Sequence, residues 1–228
     1  MKEERRVVLF LVIVFAVILL LKLNTKVAEP IYSKTLILET QQIAANDIQD
    51  IVPLDSPFVQ PVLYSGINFL DSLDTQVAKE KFIAIMLPAI LVAKWQLQQE
   101  LDRLEGIIEN GIQDQADSVL IENWEEAYRT NDLKLLQRRL QVHPNSIALA
   151  QAAVESGWGK SRFFKEANNV FGVWSFNANE PRIPARISRE EYTAYLRKYN
   201  HIAESVIDYF KTIARTPAYQ KFRIKRME

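Results

Sequence analysis

Three of the six glycines in this chain, Gly157, Gly159 and Gly172, fall within sixteen residues of one another. Glu155 stands at the head of that stretch, in His143-Pro-Asn-Ser-Ile-Ala-Leu-Ala-Gln-Ala-Ala-Val-Glu155-Ser-Gly-Trp-Gly-Lys-Ser161. Asn145 or Ser146 can cap a short helix carrying Ala148, Ala152 and Ala153. Gly157 fits the left-handed position that ends such a helix. Glu155 is then its last or next-to-last residue, at the negative end of the helix dipole. Partial burial beside Trp158 would act in the same direction. Both effects favour a carboxylic acid that holds its proton near neutral pH, as a general acid must. A surface glutamate on a helix ending in Glu-x-Gly would carry the same local pattern.

Five aromatic residues, Phe163, Phe164, Phe171, Trp174 and Phe176, follow within fourteen residues, with Asn168-Asn169 and Gly172 among them. Aromatic faces beside amide side chains suit sugar rings, which offer apolar C–H faces and equatorial hydroxyls. On pattern alone Phe163, Phe171 and Phe176 are expected in the core, and Trp158 and Trp174 as exposed walls of a groove. Asn168-Asn169 fits sugar hydroxyls and turn chemistry equally.

Ala150-Gln-Ala-Ala-Val-Glu-Ser-Gly-Trp-Gly-Lys-Ser161, followed by Asn168-Asn-Val-Phe-Gly-Val-Trp174, resembles the signature of glucosaminidase-domain peptidoglycan hydrolases, glycoside hydrolase family 73. Tyr195-Leu-Arg-Lys-Tyr199, Glu204-Ser-Val-Ile-Asp-Tyr209 and Pro217-Ala-Tyr219 continue the resemblance in the family's order. Within the family the chain is most similar to Bax-type members, which carry an N-terminal membrane segment and a helical stretch resembling Phe82 to Leu104. The resemblance implies a mainly α (α+β), lysozyme-like fold: a helical bundle core with a small β-hairpin lobe. It also implies cleavage of β-1,4 bonds next to N-acetylglucosamine, with peptidoglycan glycan strands as the partner. By that match Glu155 is the general acid and Tyr199 corresponds to a tyrosine lining the family's site. The substrate-binding residues expected with them are Gln151, Trp158, Asn168, Asn169, Phe171, Gly172 and Trp174.

Glycoside hydrolysis ordinarily takes two carboxylates, one on each face of the scissile bond. Related enzymes place the second on a mobile hairpin, which here should lie between Trp174 and Tyr195. Glu180 is the first candidate for its nearness to the aromatic cluster, followed by Glu190 or Glu191. The sugar's own acetamido group could replace a protein nucleophile. Rival functions are a lytic transglycosylase on the same glycan, a non-catalytic wall-binding protein, and action on glycoprotein N-glycans.

The elements that must position these residues begin near Thr75. Val77, Phe82, Ile85, Met86, Ile90, Leu91, Leu97, Leu101, Leu104 and Ile108 recur at three-to-four spacing, which predicts a long helix. Pro88 is expected to kink it or split it in two. Shorter helices are expected near 118–129 and 132–141, the second capped at Asn131-Asp132. Asp208 falls in a further helical pattern with Ile202, Val206, Tyr209 and Phe210, and is expected to face away from the cleft. Residues 24–74, broken by Pro30, Pro53, Pro57 and Pro61, read as a linker or irregular arm without a core of its own. The helical domain is then 75–228, with 75–140 as lead-in and 141–228 as the catalytic part.

Residues 1–23 predict a transmembrane signal-anchor: Val7 to Leu21 lack any polar side chain, and Lys22 can snorkel to the headgroups. Lys2, Arg5 and Arg6 place the bulk of the chain outside the cytoplasm, in the periplasm, although Lys22 and Lys26 blunt that bias. A cleaved signal peptide is the alternative, but a cut after Ala28 would put Lys26 where a small residue belongs.

The whole chain, 228 residues with 28 basic and 28 acidic side chains, is formally neutral. That sum hides segregation: residues 1–23 carry 4 basic and 2 acidic groups, 24–140 carry 10 and 18, and 141–228 carry 14 and 8. The absence of cysteine excludes disulfide scaffolds, Cys-ligated zinc and a thiol nucleophile. The two histidines, His143 and His201, are too few for a three-His site and read as helix-start residues. No dinucleotide loop, P-loop or metal cluster is present in the pattern, so no cofactor, metal or nucleic-acid partner is expected.

Overall fold

Phe82, Ile85, Met86, Ala89, Ile90, Ala93, Leu97, Leu101 and Leu104 fall on one side of a single helix, α1 (Thr75–Asn110), and all are buried. The Asp74 side chain caps its start by accepting from the Gln76 N–H, and Gly111, at φ 76°, closes its end. The computed structural model describes residues 38–185 and 193–226. The expected signal-anchor over 1–23 lies outside the described residues. Among the described residues no helix is long and apolar enough to cross a membrane.

Pro88 sits inside α1 without splitting it. A proline in a helix interior removes one backbone hydrogen bond and costs about 3 kcal/mol. Burial of several large side chains on each side of it, at roughly 1.5–3 kcal/mol each, outweighs that cost. The helix is held along its length by neighbours in contact with it: α3 (Leu133–Leu140), α4 (Asn145–Ser156), α6 (Ile202–Arg215) and strand β2 (Val62–Ser65).

Helix α2 (Gln115–Tyr128) starts at Asp114, and α3 starts at Asp132, whose carboxylate accepts from Lys134 N–H at 2.9 Å and Leu135 N–H at 3.1 Å. Ile121, Trp124 and Tyr128 of α2 and Leu136 and Leu140 of α3 close a core around Leu101, Leu104 and Ile107 of α1. Residues 39–74 lie on this helical body. Strand β1 (Gln41–Ala44) pairs in parallel with β2, whose Val62, Leu63 and Tyr64 are buried.

The chain after α4 runs through α5 (Arg162–Ala167) into a small sheet and returns as α6 and α7 (Gln220–Lys225). The sheet has three strands, β3 (Trp174–Ser175), β4 (Arg182–Pro184) and β5 (Tyr195–Arg197), in the order β3-β5-β4. Both pairings are antiparallel, with Leu196 opposite Trp174 on one side and Ile183 on the other. The architecture is therefore mainly helical with a small β lobe. The expected hairpin is a three-stranded sheet whose last strand lies in the middle.

Candidate active site

Helix α4 ends one residue after Glu155, and the residues that end it explain its direction. Gly157 takes the left-handed conformation at φ 58°, and the Trp158 N–H donates back to Ala153 O at 2.8 Å. The Ser156 hydroxyl donates to Ala152 O at 2.6 Å and accepts from the Gly159 N–H at 2.9 Å. Ser-Gly-Trp-Gly is thus a clamp that fixes the last turn of α4 and leaves Glu155 exposed. Asn145 and Ser146 do not cap the helix: Pro144 holds that position, and Asn145 Oδ1 accepts from Lys94 Nζ at 2.7 Å.

Glu155 borders a cavity of about 760 Å³. Helix α4 contributes Gln151 and Glu155, which lie one turn apart on the same face. The segment after α5 contributes Phe171, Gly172, Trp174 and Phe176, β5 contributes Arg197, and α6 contributes Tyr209, Ile213 and Arg215. Tyr219 and Arg129 also line it, along with Val173, Asn177, Thr212 and Thr216. Among the described residues that line it, Glu155 is the single carboxylate against three arginines.

Tyr209 organises one wall. Its ring stacks on Phe171 at 4.0 Å between centroids and 15° between planes. Its hydroxyl donates to Gln151 Oε1 and contacts His143 Nε2 at 3.0 Å. Burial above all pushes the Tyr209 hydroxyl above its ordinary range, with the nearby Glu155 carboxylate acting in the same direction, so it stays protonated. Behind another wall, Asp208 accepts from Arg197 Nη1 at 2.6 Å and from the Tyr199 hydroxyl at 2.7 Å, with Arg215 Nη2 at 3.9 Å. Burial and the Asp208 charge raise the Tyr199 hydroxyl as well. Asp208 does not simply face away from the cleft: it anchors two of the arginines that line it.

Several expected site residues are placed elsewhere. Trp158 does not line the cavity; it packs edge-on against Phe82 of α1 at 5.6 Å, with Lys79 Nζ 5.3 Å from its ring centroid. The expected burial of Glu155 beside it is therefore not found. Asn168 and Asn169 are buried, and their side chains bracket backbone groups away from the cavity lining. Asn168 ends α5 at φ 51°, donates to Tyr199 O at 2.8 Å and accepts from the Gly66 N–H at 3.3 Å. Asn169 donates to Val173 O at 3.0 Å and Arg197 O at 2.9 Å, tying the lobe to the helical body. Tyr199 spends its hydroxyl on Asp208 and lies behind the cavity wall. Glu180 accepts from Arg197 Nε at 3.2 Å and does not line the cavity. Glu190 and Glu191 lie outside the described residues.

Gln151, Glu155, Phe171, Gly172 and Trp174 do meet at the cavity, as expected together. Phe171 is on the wall and not in the core, and Phe176, also expected in the core, is 86 % exposed. Tyr209, Tyr219 and Arg197 also line the cavity, with His143 buried behind Tyr209, and none of the four was expected there from the sequence. Tyr209 and Tyr219 had a signal, since both fall in the segments that follow the aromatic cluster in the family's order. His143 had none, because its partner is 66 residues away.

Residues 130–228 match the glucosaminidase family model, described as mannosyl-glycoprotein endo-beta-N-acetylglucosaminidase. Protein bax of Escherichia coli (strain K12) is 29% identical over 105 residues, covering 46% of this chain and 36% of that protein. Exo-glucosaminidase LytG of Bacillus subtilis (strain 168) is 31% identical over 97 residues, 40% of this chain and 34% of that protein. Peptidoglycan hydrolase FlgJ of Salmonella typhimurium is 34% identical over 88 residues, 33% of this chain and 28% of that protein. The chain thus spans about a third of the length of the curated relatives it matches. No solved structure matches it.

Proposed function

Because residues 130–228 form a glucosaminidase domain of the Bax-type, glycoside hydrolase family 73 kind, we propose that the chain is a peptidoglycan hydrolase. It cleaves β-1,4 glycosidic bonds next to N-acetylglucosamine, with Glu155 as general acid. The observation that carries this reading is the single carboxylate, Glu155, among the described residues lining a cavity walled by Phe171, Trp174 and Tyr219. Aromatic walls take the apolar faces of pyranose rings, and Gln151 offers hydrogen bonds to their polar substituents. The three arginines suit a wall polymer rich in peptide carboxylates. Such a substrate places the working site outside the cytoplasm.

In the reaction Glu155 gives its proton to the glycosidic oxygen as the C1–O bond breaks, and positive charge develops on the ring. A second group then meets C1 from the opposite face. The substrate's acetamido oxygen fits the cavity as described, with one carboxylate on its lining. A carboxylate from the β4–β5 connection, which includes Glu190 and Glu191, is the alternative. Glu180 is the weaker choice because Arg197 holds it.

Replacing Glu155 with Gln keeps the shape and removes the proton. Turnover of purified peptidoglycan should fall by about a hundredfold or more, the scale of general acid catalysis, with glycan binding retained. Unchanged turnover would remove Glu155 from the mechanism. Mass spectrometry of the products completes the test. Reducing ends support hydrolysis, whereas 1,6-anhydro ends would reassign the domain as a lytic transglycosylase.

A further inference from the structure

His143 is a buried titratable group directly behind the cavity-lining Tyr209, and the proposed mechanism does not use it. It lies in the α3–α4 connection, 1 % exposed, boxed by the rings of Tyr209, Phe210 and Phe222 at 5.6, 4.7 and 5.4 Å. Burial, reinforced by the charges of Arg226 and Lys94, pushes it down to about 4, so it is neutral at working pH. A neutral imidazole carries one N–H, and its position is decided by what each nitrogen meets. Nδ1 is buried with no hydrogen-bond partner among the described residues, whereas Nε2 is 3.0 Å from the Tyr209 hydroxyl oxygen. A buried N–H donor without a partner is rarer and costlier than a bare acceptor. The proton therefore sits on Nε2, which donates to Tyr209.

The rest of the chain follows from proton counting. Tyr209 has one hydroxyl proton, and with its oxygen accepting from His143 it donates to Gln151 Oε1. Gln151 then keeps both amide hydrogens on its other branch. No group among the described residues accepts them, and Gln151 lines the cavity one turn from Glu155. We propose that His143 is a positioning residue: it sets the direction of a His143→Tyr209→Gln151 hydrogen-bond chain, so that the Gln151 amide presents N–H donors to an oxygen of the bound sugar beside Glu155. Without the His143 donor, the hydroxyl can accept from a flipped Gln151 amide, which then turns its carbonyl oxygen toward the sugar's oxygens. The Phe171 stack holds the Tyr209 ring in either case, so what His143 controls is polarity, not shape. This inference rests on the glycan-cleaving reading of the cavity.

Two measurements on the full chain test it. With only two histidines in the sequence, ¹⁵N resonances of the imidazole rings can be assigned in the unaltered protein. His143 should show a protonated Nε2 and a bare Nδ1 at neutral pH, and the opposite tautomer overturns the inference. The second measurement is calorimetric titration with a β-1,4-linked tetrasaccharide of N-acetylglucosamine, in a Glu155→Gln background that cannot turn over. His143→Phe and Tyr209→Phe should each weaken binding about tenfold, on the scale of one well-placed hydrogen bond. Together they should weaken it no further than Tyr209→Phe alone, because the chain is already cut. Unchanged affinity in His143→Phe, or losses that multiply, overturns the inference alone. A Glu155→Gln parent that binds no glycan overturns the glycan-cleaving reading and this inference with it. Should His143→Phe fail to fold, the tautomer in the unaltered protein decides.

Discussion

At the residue scale, the neutrality of His143 also ties the protein's stability to pH. The folded form holds the imidazole near 4, against an ordinary value of 6.5. Between those values the unfolded chain binds a proton that the folded chain refuses. The stability associated with the neutral ring is therefore complete above pH 6.5 and is lost as pH falls toward 4. A shift of this size corresponds to about 3 kcal/mol. Denaturant unfolding at pH 7 and pH 4.5 should show that loss in the unaltered protein and a flatter response in His143→Phe. Equal pH dependence in the two would mean that His143 is not the group responsible. Its role was invisible in the sequence because both the ring box and Tyr209 come from distant segments. Glu155 and Gly157 were legible for the opposite reason, since a helix C-terminus is written in adjacent residues. The aromatics were half legible. Composition announced a cluster but could not say that Trp158 would pack on Phe82 while Phe176 stood in solvent.

At the scale of elements, two glycines two residues apart do different work. Both have positive φ, Gly157 at 58° and Gly159 at 78°. A Cβ on Gly157 would meet nothing within 4 Å, whereas one on Gly159 would sit 2.7 Å from Leu70 Cδ1 and 3.1 Å from both Phe82 and Phe164. Gly157→Ala should therefore cost only the backbone strain, about 1 kcal/mol. Gly159→Ala adds overpacking against three side chains and should cost about 2–4 kcal/mol in total. Unfolding free energies that rank the two equally would remove the close-approach role from Gly159. Helix starts were legible where the cap is local: Asp132 begins α3 within a residue of the expected position. The continuity of α1 was not, because the sequence marks Pro88 as a breaker while the packing that overrides it comes from α3, α4, α6 and β2.

At the scale of the whole molecule, the proline-rich stretch before α1 belongs to the same unit as the residues that line the cavity. Contacts group residues 39–228 together. Val62, Leu63, Tyr64, Ile67 and Leu70 are all 5 % exposed or less, against the helical body. The Tyr64 hydroxyl accepts from the Val52 N–H at 2.9 Å, and the Gly66 N–H donates to Asn168 Oδ1 at 3.3 Å. Asn168 in turn holds the backbone of Tyr199 and Asn200 ahead of α6. Short apolar runs between prolines give no periodic signal, so a boundary at residue 75 was the natural expectation from sequence. Removing residues 39–74 would expose the surfaces those five side chains cover. At roughly 1.5–3 kcal/mol each this is about 8–15 kcal/mol as an upper bound, comparable with the entire stability of a domain of about 5–15 kcal/mol. A fragment spanning 39–228 should thus melt in one cooperative transition. A fragment spanning 75–228 should show no such transition and should bind a hydrophobic dye, because Phe82, Phe164 and the α1–α6 face lose their cover. Calorimetry of the two fragments measures the difference, and matching melting temperatures would show that the arm is dispensable to the fold of the helical body.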